Sequence, residues 1–257
     1  MKKRIVSVLL AVCLLCICFT FAGCKKTTSE IISEALSKTR QLDCVSAELK
    51  MEMSMSAEGM SMDIPITADI QAKGLQGAAP VVATDLAISM FGMDVQMQLY
   101  QEGEWVYIVY GDMKYKMPAA DATDDMDYTD NLGNMLQDIP EELLTDVQMV
   151  KEENGAMSAT ISFPEEQFAK IYDAFIGDMN TQIGVDIGEF AVRDAQVKIT
   201  IADGYVSAYE MSFTMVMTVE GVETATDVKA GVTYKNVGED VTVTPPEGYQ
   251  DFQQISQ

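Results

Sequence analysis

Five methionines, Met51, Met53, Met55, Met60 and Met62, stand in the stretch "KMEMSMSAEGMSM". Thioether sulfur suits Cu(I), and side chains two residues apart share one strand face, so Met51, Met53 and Met55 have the spacing to converge on an ion. Two other chemistries use the same residue. Methionine fills irregular cores, and its unbranched, polarisable chain repacks around apolar ligands of varied shape. The chain holds no histidine, which removes the commonest transition-metal ligand and the commonest general base together. Methionines also recur at 90, 93, 97, 211, 215 and 217, a dispersed lining and not a cluster. The sequence therefore nominates no metal site and no cofactor. Core filling and an adaptable pocket both stay open. The second reading nominates Met51, Met53, Met55, Met62, Met97, Phe213, Met215 and Met217 as lining residues.

The acidic run "DATDDMDYTD" at 121–130 invites calcium. An EF-hand loop begun at Asp125 needs glycine at its sixth position and glutamate at its twelfth, and these hold Asp130 and Leu136. The motif fails, leaving a solvated loop. No nucleophile elbow and no phosphate-binding glycine loop appears, so no catalytic residue is nominated and an enzyme is not expected. Trp105, Tyr107 and Tyr110 read either as a carbohydrate platform or as core aromatics of one strand.

The N-terminus reads differently. Lys2, Lys3 and Arg4 precede a long apolar run that ends Phe21-Ala22-Gly23-Cys24, the pattern of a secretory signal. "FAGC" resembles the lipobox of bacterial lipoproteins, with Phe21 where an aliphatic residue is usual. The resemblance implies removal of residues 1–23, lipidation of Cys24 and a chain tethered to the outer face of the cytoplasmic membrane. Two acyl chains give stable anchoring where one does not. Residues 24–29 then form the lipidated cysteine and tether, and 30–257 a single domain. Cys44 would be the one thiol of the folded body, so no internal disulfide is available. Beyond residue 23 the chain carries 14 basic against 40 acidic side chains, a formal charge of −26. Such a surface repels nucleic acid and anionic polymers.

These residues need elements to position them. Ile31, Ile32, Ala35, Leu36 and Thr39 recur at helical spacing, predicting a helix over 29–41. From Val45 the period becomes two, with Val45, Ala47, Leu49, Met51, Met53 and Met55 on one face and Ser46, Glu48, Lys50, Glu52 and Ser54 on the other. A second alternating run covers 60–72, where Pro65 points to an edge or bulge. Strands follow over 82–90, 93–101, 105–110, 114–117, 147–152, 156–163, 191–201, 205–219 and 223–234, with a last short strand in "VTVT". Helices are expected near 130–138 and over 164–179. In the latter, Phe168, Tyr172 and Phe175 share one stripe and form a potential lid.

Long strands with one polar face call for a single curved antiparallel sheet, with helices on its concave side. The fold class is α+β, mainly β. The lipobox, the leading helix, the strand meander and the closing "YKNVGEDVTVTPPE" resemble the LolA/LppX-like bacterial lipoproteins. In that closing segment Tyr234, Asn236, Gly238, Val241, Val243 and Pro245 or Pro246 match the ending of their Gram-positive relatives. The resemblance implies a half-open β-barrel closed by helices around an apolar pocket, and no catalytic residues. The expected function is non-catalytic binding of a lipid or other hydrophobic ligand by a membrane-anchored extracytoplasmic lipoprotein. The alternative is a structural or protein-interaction lipoprotein with a solid core, whose protein partner the sequence does not name.

Overall fold

The computed structural model describes residues 26–57, 60–77, 79–90, 92–120, 141–144, 147–166, 189–219 and 222–255. The leading helix α1 (Thr28–Arg40) opens on a capping box. The Thr27 N–H donates to Glu30 Oε2 (2.8 Å), and the Glu30 N–H donates to Thr27 Oγ1 (3.2 Å), satisfying two orphan donors of the first turn. Lys38 and Arg40 occupy the last turn, where cations complement the helix dipole. A second, four-residue helix α2 spans Glu141–Leu144.

The strands follow in sequence. The first half holds β1 (Cys44–Ala57), β2 (Met60–Lys73), β3 (Val81–Met90), β4 (Met93–Glu102), β5 (Trp105–Tyr110) and β6 (Met113–Pro118). The second holds β7 (Val150–Lys151), β8 (Met157–Ser162), β9 (Glu189–Ala202), β10 (Tyr205–Val219), β11 (Val222–Lys235) and β12 (Gln253–Gln254). All twelve make one curved sheet, not closed into a barrel, in the order β12-β6-β5-β4-β3-β2-β1-β11-β10-β9-β8-β7. Two meanders are thus joined along the pairing of β1 with β11, which runs from Ser46↔Lys235 to Ser56↔Ala225.

Several expectations need correction. Pro65 lies in a strand with neighbours on both sides, yet β3 pairs β2 only from Ile66 onward. The missing N–H therefore falls where that side of β2 has lost its partner, the local edge a proline tolerates. The expected strand over 147–152 shrinks to Val150–Lys151. "VTVT" is not a strand. The chain there carries no ladder pairing, turns through the 3-10 helix Tyr249–Asp251 and continues into β12, parallel to β6. The expected helices over 130–138 and 164–179, with Phe168, Tyr172 and Phe175, lie outside the described residues, as do 1–23 and Cys24. Among the described residues, no helix is long and apolar enough to cross a membrane.

Each face of the sheet has its own cover. Helix α1 packs on β9 and β10, burying Ile32 and Ala35 with Ile161, Ile199 and Val206. Thr39 locks this contact, because its hydroxyl donates to Ala35 O (2.8 Å) and accepts from the Val206 N–H (2.9 Å). We call this side the helix face. On the opposite, outer face, the tail covers β3–β5. Val243 and Phe252 are buried there with Tyr100 and Tyr107, and Trp105 and Tyr249 pack against them. Tyr110 falls on the helix face by alternation, so the three aromatics of β5 do not form one platform.

Candidate functional site

Strand register decides which inward side chains meet. The row Met62–Met55–Thr226–Met215–Val192 crosses five strands. Beside it lies Ile64–Met53–Val228–Phe213. A third row, Val95–Ile88–Ile66–Met51–Ala230–Met211–Val197–Ile161, crosses eight strands. Met97 sits in the next row with Leu86, Ala68 and Leu49, and Met217 pairs Thr224 beyond the first. At ~4.8 Å between strands the third row spans about 34 Å. All eight nominated residues thus share the helix face, over neighbouring rows. The folding reason is local: strict alternation commits every second residue to one side, and antiparallel pairing carries that side from strand to strand.

Burial is uneven along these rows. Ile64, Phe213 and Val228 are buried, whereas Met51, Met53, Met55, Met62, Met97, Met215 and Met217 are half-buried. Met90, Met93, Tyr110 and Met113 are exposed at the tips of the β3–β4 and β5–β6 hairpins. They lie on the same face and at the same end of the sheet as Met55 and Met62. Charge is sorted as strictly. Glu48, Lys50, Glu52, Asp63, Asp69, Glu210, Asp227 and Lys229 all register on the outer face.

Polar groups on the helix face are few and neutral. The hydroxyls of Tyr209 and Tyr234 share a hydrogen bond of 2.9 Å, with the rings edge to face at 5.8 Å. Burial first, and for Tyr209 its neighbour Tyr234 next, holds both phenols above their ordinary range. They stay protonated under all physiological conditions. Thr226, 2% exposed, is another such group, and among the described residues its Oγ1 has no hydrogen-bond partner. Sequence reading passed over Thr226 because threonine is common in strands. The available signal was its inward place in "TATDVKAGV".

Two surface depressions lie elsewhere. One, of about 210 Å³, is bordered by Glu52, Ser54, Asp194, Ser212, Asp227 and Lys229 beside the β9–β10 irregularity. Phe213 is the one nominated residue that borders it. Thr214 Oγ1 there donates to Asp227 Oδ1 (2.7 Å). The other, of about 590 Å³, separates β6 from the tail around Lys114, Tyr115 and Asp251. Among the described residues, no three His, Cys, Asp or Glu side chains come together as a metal site.

Fold and site together define an α+β protein built on one large antiparallel sheet, with an acidic outer face and an apolar, methionine-rich helix face. The chain belongs to the family of unknown function DUF6612, whose pattern matches residues 27–250. No curated protein matches it by sequence. Among solved structures it is similar to LprF from Mycobacterium bovis, at 13% identity and a TM-score of 0.41, over 86% of this chain and 97% of that one. It is also similar to a LolA superfamily protein from Nitrosomonas europaea, at 7% identity and a TM-score of 0.25, over 86% of this chain and 96% of that one.

Proposed function

We propose that the protein is a membrane-anchored extracytoplasmic lipoprotein that holds a lipid or other hydrophobic molecule, without catalysis, on the methionine-rich part of its helix face. The single observation that carries this is the uneven cover of that face. Among the described residues, helix α1 packs on the β9–β10 end, while the methionine rows of β1, β2, β4 and β10 are only half-buried. A contiguous apolar surface of this kind marks an interaction site. Thioether side chains fit it to ligands of varied shape. The exposed Met90, Met93, Tyr110 and Met113 extend the apolar surface to the sheet end, where a greasy molecule can enter. Cys24 supplies the membrane attachment, and Phe168, Tyr172 and Phe175 the lid. The lipobox-like "FAGC" and the LolA/LppX-like closing segment point the same way.

Native mass spectrometry with solvent extraction tests the reading. A stoichiometric lipid-sized adduct, released on denaturation, is the expected result. A clean apo mass, with no uptake of added phospholipid or acylglycerol, would instead favour a solid-core interaction protein.

A further inference from the structure

Thr226 is the residue that the packing of the sheet leaves unexplained. It stands in the middle of the row Met62–Met55–Thr226–Met215–Val192, 2% exposed, with its hydroxyl unbonded. A buried hydroxyl without a partner is destabilising, and such groups are rare in folded proteins. Valine has nearly the same shape, and occurs at two of the next three inward positions, Val228 and Val232. A face chosen for packing alone would hold valine at 226 as well. The hydroxyl is flanked across the strands by Met55 and Met215, both half-buried. Unbranched thioethers of this kind change rotamer readily and can open the hydroxyl to an incoming molecule.

We infer that Thr226 is the polar anchor of the bound molecule, hydrogen-bonding an ester, hydroxyl or amide oxygen carried on an apolar body. This rests on the binding face proposed above and names the class of ligand it selects. The ligand is uncharged at that point. Every charged side chain named on β1, β2, β10 and β11 registers on the outer face, so no described charge on these strands neutralises an ion at the Thr226 row. An unpaired ion in such surroundings is far costlier than a neutral oxygen given one hydrogen bond. Thr224, two residues along on the same side, is half-buried and offers a second hydroxyl toward the sheet end.

The test compares full-chain wild type, Thr226→Val and Thr226→Ser. Each is titrated with dioleoylglycerol and with 1-octadecene delivered from cyclodextrin, with binding read by native mass spectrometry and stability by thermal unfolding. Thr226→Val is expected to bind dioleoylglycerol about fivefold more weakly, the worth of one net hydrogen bond. It should keep its affinity for 1-octadecene and unfold at a higher temperature than wild type, and Thr226→Ser should restore the ester preference. A rise in melting temperature with both affinities unchanged overturns the anchor and leaves the binding face standing. No binding of either probe by any of the three chains overturns both. Equal loss of both probes in Thr226→Val also overturns the anchor, since the effect would then be one of shape.

Discussion

Replacing Phe252 by alanine removes the ring that pins the C-terminal segment to the outer face of the sheet. Phe252 is 6% exposed, its ring 6.1 Å from that of Tyr107 at 70°, with Lys114 Nζ 5.9 Å from its centroid. Truncating a buried phenylalanine costs about 3–5 kcal/mol, from lost transfer energy and the cavity left behind. With an m-value of about 3 kcal/mol/M in urea, that loss lowers the midpoint by about 1–1.7 M. The chain contains one tryptophan, Trp105, and it packs in the same cluster. Its fluorescence therefore reports on the tail directly, while circular dichroism reports on the sheet. Among the described residues, β12 is the one ladder the tail makes beyond β11, beside the hydrogen bond from the Tyr249 hydroxyl to Glu102, so the tail can leave without unpairing β1 from β11. In Phe252→Ala the emission is expected to shift to the red at lower urea than the sheet signal is lost. Coincident transitions within 0.3 M of the wild-type midpoint would refute the reasoning, because Phe252 would then hold nothing in place.

Four further outcomes follow from the same geometry. Burial, then the charge of Glu102, pushes the Tyr100 phenol up to about 12. Because this folded-state value lies above the unfolded one near 10, the stability it reflects is full below pH 10 and fades toward pH 12. Urea midpoints should thus imply a loss of about 2 kcal/mol between pH 9 and 11.5, shrinking in Tyr100→Phe; equal slopes would discount the buried phenol. Thr27→Ala removes the capping box of α1 and should lower stability by about 1 kcal/mol, read by thermal melts. Asp203 and Gly204 both have positive φ, 53° and 79°, in the β9–β10 turn, so Asp203→Val should destabilise by about 1–2 kcal/mol while Asp203→Gly is tolerated. Met55→Asp places a carboxylate between Met62 and Thr226. It should leave a folded chain, by circular dichroism, that no longer retains lipid, and a chain that fails to fold would mark the row as packed core.

Alternation along the chain carried much of this architecture. The two-residue period of 45–57 and 60–72, the helical spacing of Ile31, Ile32, Ala35 and Leu36, and the turn at Asp203-Gly204 are local properties. Each depends on a few neighbours, so the strands, the first helix and the inward position of all eight nominated residues were legible before any contact was known. Tertiary structure decided what local period cannot: which strand lies beside which. Pairing β1 with β11 brings Met55 next to Thr226, 171 residues later in the chain, and so makes one face of two separate meanders. The same non-local choice explains Pro65, harmless because the pairing of β2 with β3 stops at Ile66, and the tail, whose sequence reads as a strand. Its valines and aromatics find a better apolar partner in Tyr100 and Tyr107 than another ladder would offer. Side-chain period sets which way a residue points; the energy of burying it depends on what the rest of the chain brings opposite.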